Sequence, residues 1–297
     1  MEIAMSTPQA HFPGGIAHLK PINGAQLAVE TVGHGPAVLL VHGFPHTRII
    51  WRSVAADLAR RGFRAVALDM RGVGDSAPTV EGFSVQTLAA DLIGTLEAVG
   101  VETAHVVALD LGAAPAVAAA ALQPARVATL TVSEALIGNL PGAENFLTRG
   151  MPWWFGLHQA PEALAENLIA GHEQAYVEHF LTAGTRRPVP EDIRRTLVEG
   201  YTGRQRLHAA FSQYREMPRT AAWIDRWVTM DGRLEMPVLA LAGGVVGTAT
   251  ARQLTTIATN LSVRQIHNAG HIVPLDDSTA MAHAIADHGS SLSRAVT

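Results

Sequence analysis

Short runs of Val and Leu alternate along this chain with longer segments whose apolar residues recur at helical spacing. Gln26–Val32, Ala37–Val41, Arg64–Leu68, His105–Leu109, Val127–Val132, Pro237–Ala242 and Ser262–Ile266 are predicted to be strands. Trp51–Arg61, Val85–Val99, Leu111–Leu122 and Thr250–Ala258 are predicted to be helices, with a final helix from about Asp276. Strands apolar along both faces, separated by amphipathic helices, imply a mostly parallel sheet covered on both sides.

This rhythm stops between Ala135 and Leu234. That stretch has no Val/Ile-rich strand, and it holds four of the five Trp and all three Tyr in helix-like segments broken by Pro. We read it as an inserted helical cap, residues 135–234, on a core made of residues 1–134 and 235–297.

Composition narrows the class. Hydrophobic residues make up 48% and charged residues 16% of the 297 positions, which suits a folded globular chain. The net charge of −4 comes without a block of either sign, so no nucleic-acid partner is expected. Cysteine is absent, which excludes disulfides, a thiol nucleophile and thiolate metal sites. The first residues lack a basic segment followed by an apolar one, so no signal peptide is expected. The longest apolar run, Ala113–Leu122, is too short to span a membrane. A cytoplasmic protein without membrane association is expected, and a homodimer remains open. His267 and His271 flank a turn rather than a helical ligand spacing, so no metal is expected.

The chemistry centres on Ala108-Leu109-Asp110-Leu111-Gly112, between an apolar strand and a helix. This is the small-x-nucleophile-x-small pattern of a sharp strand-to-helix turn that presents a nucleophile. The nucleophile is a carboxylate here, suited to attack on an sp³ carbon with formation of an ester that water then cleaves. His42-Gly43-Phe44-Pro45 follows the Ala37–Val41 strand. The N–H groups of Phe44 and Leu111 are expected to form an oxyanion hole, and His42 is assigned to substrate contact. His271 follows the last strand and is expected to activate water. Its orienting acid is expected at Glu134, because the alternative loop, Gly243-Gly244-Val245-Val246-Gly247-Thr248, contains no acid. Asp276 and Asp277 read as caps of the final helix. Asp69-Met70-Arg71-Gly72-Val73-Gly74-Asp75-Ser76 reads as a structural turn, since it lacks phosphate-loop spacing.

Together these residues resemble the α/β-hydrolase-fold epoxide hydrolases, from about residue 25 to the end. The resemblance extends to Trp153-Trp154-Phe155-Gly156-Leu157 and to Phe211-Ser212-Gln213-Tyr214-Arg215. It implies an α/β-hydrolase fold with a helical cap, and an epoxide opened to a vicinal diol through an Asp110 ester without a cofactor. It further implies that Tyr214 and the residue at position 154 hold the epoxide oxygen. The family has Tyr or His at the latter place; here it is Trp154, with Trp153 beside it in a substrate-contact role. An indole N–H can donate a hydrogen bond but does not readily release its proton, which leaves Tyr214 as the proton donor. The combination is most similar to epoxide hydrolases of aromatic-polyketide antibiotic biosynthesis (kinamycin and fluostatin type), which implies a bulky apolar or polycyclic aromatic epoxide as the small-molecule partner. Two other readings remain: a dehalogenase with the same Asp–His–acid machinery, and a non-catalytic ligand-binding protein on the same fold. Leu111 stands where dehalogenases carry Arg or Trp, and the elbow has no Ser for an esterase.

Overall fold

The computed structural model describes residues 7–161 and 163–290. Eight strands form one sheet: β1 Ile16–Ile22, β2 Ala25–Gly33, β3 Ala37–Val41, β4 Arg64–Leu68, β5 Ala104–Leu109, β6 Val127–Ser133, β7 Val238–Ala242 and β8 Leu261–Gln265. Their order is β1-β2-β4-β3-β5-β6-β7-β8. β2 runs antiparallel to β1 and β4, and the rest are parallel. Every residue of β3, β5 and β7 is buried, as expected for strands covered on both faces.

The connections explain where a site can form. From β3 the chain crosses to β4 through α1, Arg52–Arg60; it then returns past β3 to β5 through α2, Val85–Ala98, and goes on to β6 through α3, Ala113–Leu122. Right-handed crossovers in opposite directions put α1 on one face and α2 and α3 on the other. The carboxyl ends of β3 and β5 therefore border a crevice at the point where strand order reverses. Both expected motifs, His42-Gly43-Phe44-Pro45 and Asp110, emerge there.

β1 was not foreseen. Its pattern is only weakly alternating, and Pro21 argues against a strand except at an edge, which is where β1 lies. Asn23 and Gly24 join it to β2, both with positive φ, in a two-residue hairpin turn of the kind an Asn-Gly pair favours.

Between β6 and β7 the described residues form helices and no strand: α4 Trp153–His158, α5 Leu164–Ile169, α6 Glu173–Gly184, α7 Glu191–Glu199, α8 Arg204–Arg215 and α9 Met217–Thr229. This helical insertion covers the carboxyl ends of the strands. Core helices α10, Gly247–Leu254, α11, Val273–Asp276, and α12, Ser278–Ser290, follow it. α10 begins earlier than expected, for a reason given below. No helix among the described residues is long and apolar enough to cross a membrane.

The sequence expectation for Asp276 is corrected. It does not cap the final helix; it is buried, and its carboxylate accepts N–H bonds from Gly270 at 2.7 Å, Arg186 at 2.8 Å and Arg187 at 3.0 Å. It thereby ties the loop before His271 to the end of α6. Asp277 is the residue that caps α12, accepting from Ala280 N. The turn after β4 is structural: Asp69 binds the buried Arg48 side chain, and Ser76 bridges Ala28 N and Asp69 O.

Candidate active site

β5 delivers Asp110 in the left-handed region, at φ 55°. A non-glycine residue there is strained, and the strain is held by tight surroundings. Gly43 is part of that enclosure: a Cβ at this position would collide with the Asp110 side chain and with Leu111 N. Only glycine lets the loop after β3 approach the elbow so closely. The result is a hydrogen bond from Phe44 N to Asp110 Oδ1 of 2.8 Å. Leu111 N lies beside the same glycine.

His271 completes the pairing from the other side. Its Nε2 lies 3.2 Å from Asp110 Oδ2, and its Nδ1 lies 3.6 Å from Glu134 Oε2. The second distance is longer than a hydrogen bond, so that contact is an electrostatic one. Burial alone would lower the His271 pKa. The Asp110 and Glu134 carboxylates outweigh burial and raise it to about 10. Burial likewise opposes ionisation of Asp110, but His271 and the Phe44 N–H hold its carboxyl below the usual carboxylate range. The resting site is therefore an imidazolium between carboxylates.

Glu134 sits at the end of β6, also at positive φ, 49°. It accepts four backbone N–H bonds, from Gly243, Val246 and Gly247 at 2.7 Å each and from Val245 at 3.2 Å. The loop that lacks an acid instead wraps its amides around an acid from the neighbouring strand. Val246 and Gly247 open α10, so Glu134 also satisfies the free N–H groups of that helix, which is why α10 starts at Gly247. Gly247 has no room for a side chain, since a Cβ would press on Ala242 and Glu134 Oε1.

The cap supplies the roof. Tyr214, near the end of α8, and Trp154, in α4, both line the cavity above Asp110, and the Trp154 indole is near enough to offset slightly the rise in the Tyr214 pKa. Burial and the Asp110 charge push the Tyr214 phenol well above its usual range, so it keeps its proton. The Phe44 ring is the hub below, with edge contacts to His158 at 4.9 Å, Phe180 at 5.3 Å, Tyr201 at 5.4 Å and Tyr214 at 5.7 Å. The cavity holds about 200 Å³. Besides Asp110, Glu134, His271 and Tyr214, its walls are mainly apolar: Leu111, Leu136, Phe146, Phe155, Phe180, Met217 and Val246.

Two expected substrate contacts are corrected. His42 does not face the cavity. It is buried, with Nδ1 against Gly43 O at 2.8 Å and Nε2 accepting from Met70 N at 2.9 Å, so it splints the loops after β3 and β4. Trp153 points outward and is 57% exposed, stacked on the outer side of Phe180. Successive helical residues project about 100° apart, so Trp153 and Trp154 cannot share one wall. Two residues escaped sequence reasoning. His46 lines the cavity. Tyr201, between α7 and α8, donates to His46 O at 2.7 Å and so pins the Phe44 loop. His46 was within reach as the neighbour of the His42–Pro45 run; nothing in the sequence singled out Tyr201.

The fold and the site together define the class. A sequence profile of the alpha/beta hydrolase fold family matches residues 36–278. The chain belongs to that family. It is similar to Epoxide hydrolase of Caballeronia sordidicola, 42% identical over 106 residues that cover 35% of this chain and 32% of that protein. It is also similar to Epoxide hydrolase A of Mycobacterium tuberculosis, 32% identical over 174 residues, covering 56% of this chain and 54% of that one. The matched stretches thus span from about a third to about half of these relatives. Among solved structures, wild-type Cfl2 from Burkholderia cenocepacia superposes with a TM-score of 0.82 at 28% identity, covering 95% of this chain and 99% of that chain.

Proposed function

We propose that this protein is an epoxide hydrolase that opens its substrate through a covalent ester on Asp110. The observation that carries the reading is the arrangement around one carboxylate. Asp110 Oδ1 is held by Phe44 N, Oδ2 faces His271, and a phenol–indole pair stands across the cavity. The names of the similar proteins support the same activity.

In this mechanism the epoxide oxygen is held by Tyr214 and Trp154. Asp110 Oδ2 attacks a ring carbon, the carbon–oxygen bond breaks, and Tyr214 gives its proton to the departing alkoxide. The new ester is neutral, so His271 loses the charge that kept it protonated. The proton it releases restores Tyr214, and the freed Nε2 becomes a base. Water, deprotonated by His271 with Glu134 behind it, attacks the ester carbonyl. The oxyanion forms on Oδ1, beside the N–H groups of Phe44 and Leu111. Collapse breaks the acyl–oxygen bond and frees a vicinal diol.

A cavity of about 200 Å³ lies below the range of roughly 300–1,000 Å³ common for ligand pockets. It supports a compact, single-ring epoxide over the fused polycycle that the resemblance to antibiotic-pathway enzymes implies. The test is a single turnover in ¹⁸O-water with styrene oxide. Label should enter the Asp110 carboxylate, and the first diol should be unlabelled. Label appearing directly in the diol, with Asp110 unlabelled, overturns the covalent route. Halide release from haloacids or haloalkanes without diol formation would favour a dehalogenase instead.

A further inference from the structure

His46 is fully buried, and neither of its ring nitrogens has a hydrogen-bond partner among the described residues. The other buried histidines each keep at least one partner. His42 uses both nitrogens, His105 pairs with Thr129, and His158 pairs with Tyr176 at 2.6 Å through Nε2, leaving only its Nδ1 without one. A buried polar atom without a partner is costly, and native proteins keep few of them without a functional reason. His46 is also fixed in aim. Its N–H bonds Gly43 O at 3.0 Å, and its carbonyl accepts from Tyr201.

The unpartnered ring lies at the edge of the reaction cavity, next to the base. His46 lines it together with Asp110 and His271, and the His46 and His271 ring centroids are 6.3 Å apart. The steps proposed above give it no task. Burial pulls its pKa down to about 3, a pull that the nearby Asp110 charge only partly offsets and that His271 reinforces. The ring is therefore neutral near pH 7 and offers one N–H donor and one bare nitrogen acceptor. A carboxylate ligand would want an imidazolium, and an alkyl group would leave both nitrogens unsatisfied. A hydroxyl both donates and accepts, and matches a neutral imidazole.

We infer that His46 forms a hydroxyl-recognition subsite, which selects epoxides carrying a free hydroxyl close to the ring. The inference rests on the epoxide-hydrolase reading and adds the substrate class to it. A site built around an O–H rejects an analogue that lacks it, because the site's own polar atoms are then buried unpaired.

β-Methylstyrene oxide and phenylglycidol differ by one hydroxyl, and the test compares their kcat/KM. The wild type should favour phenylglycidol by about tenfold or more. The ratio should fall toward one in His46→Leu and recover in His46→Gln, which retains a donor and an acceptor. Diol from both epoxides without a preference in the wild type removes this inference and leaves the epoxide reading intact, whereas diol from neither removes both. A preference that survives in His46→Leu also overturns it, even if decay of the Asp110 ester slows for both substrates. That pattern would assign His46 to the attacking water instead. Should His46→Leu fail to fold, His46→Phe, a planar ring with neither donor nor acceptor, takes its place: a ratio near one supports the inference and an unchanged ratio overturns it.

Discussion

Nε2 of His271 lies 3.2 Å from Oδ2 of Asp110, so the base and the nucleophile are an ion pair before any substrate arrives. The pairing orders the reaction. While Asp110 is charged, His271 stays protonated and cannot consume water. Esterification removes that charge and releases the base. His271→Gln should therefore leave ring opening possible and block ester hydrolysis. Intact mass after incubation with styrene oxide should show one substrate mass added to the protein. A variant that turns over without accumulating an adduct would remove His271 from the base role.

The same pair should be visible in stability against pH. The His271 pKa rises from 6.5 to about 10 on folding. Its contribution is fully present below about 6.5, declines between 6.5 and about 10, and is absent above. Asp110 is depressed, so its contribution is lost at the acid end, as pH falls through its folded value. The difference in Tm between wild type and His271→Gln should be steady near pH 6 and shrink toward pH 10. A difference that stays constant over this window would count against the ion pair.

Glu134→Gln tests an acid defined by four amide donors. The amide can accept with one oxygen only, and its NH₂ would face backbone N–H groups. A loss of about 2–3 kcal/mol in stability is expected, from one or two unsatisfied buried donors. Hydrolysis of the ester should slow by roughly 10²-fold or more, since His271 loses its orienting charge, while adduct formation continues. Denaturant melts and single-turnover rates measure the two effects separately.

Tyr214 and Trp154 are predicted to be unequal. Tyr214→Phe removes the proton donor and should slow adduct formation by about 10²-fold. Trp154→Phe keeps the ring and loses only a hydrogen bond, which predicts about a tenfold effect. Rapid-quench rates of Asp110 alkylation check this, and equal effects would mean that Tyr214, like Trp154, only polarises the oxygen by hydrogen bonding.

Arg48 anchors the turn that follows the Phe44 loop. Its side chain is 1% exposed and pairs with Glu30 and Asp69, both fully buried. Arg48→Ala strands two carboxylates in the core and should cost about 3–5 kcal/mol. Urea denaturation measures it; a change below about 1 kcal/mol would show that water reaches the cluster.

Most of the sheet was legible because its central strands are buried on both faces and so carry an unbroken apolar signal. β3 and β4 fall at their expected positions, and Asp110 lies one residue beyond β5 as the elbow pattern requires. Edge strand β1 lacks that signal because one side of it meets solvent. Glu134 was legible by its position at a strand end, together with the missing acid in the loop after β7. The four amides around it were not, since they come from residues more than a hundred positions away. His42 shows the opposite error: a motif histidine beside the site whose ring serves the backbone.

The sequence alone determined the alternation of strands and helices, the carboxylate at the elbow and the histidine that follows the last strand. These are local matters of periodicity, turn chemistry and chain order. Tertiary structure decided which side chains face the cavity. It placed Trp154 inside and Trp153 outside, turned Asp276 from a cap into a clamp, and left the His46 ring without a partner beside His271. Direction and satisfaction depend on neighbours that only packing brings together, and periodicity carries no record of them.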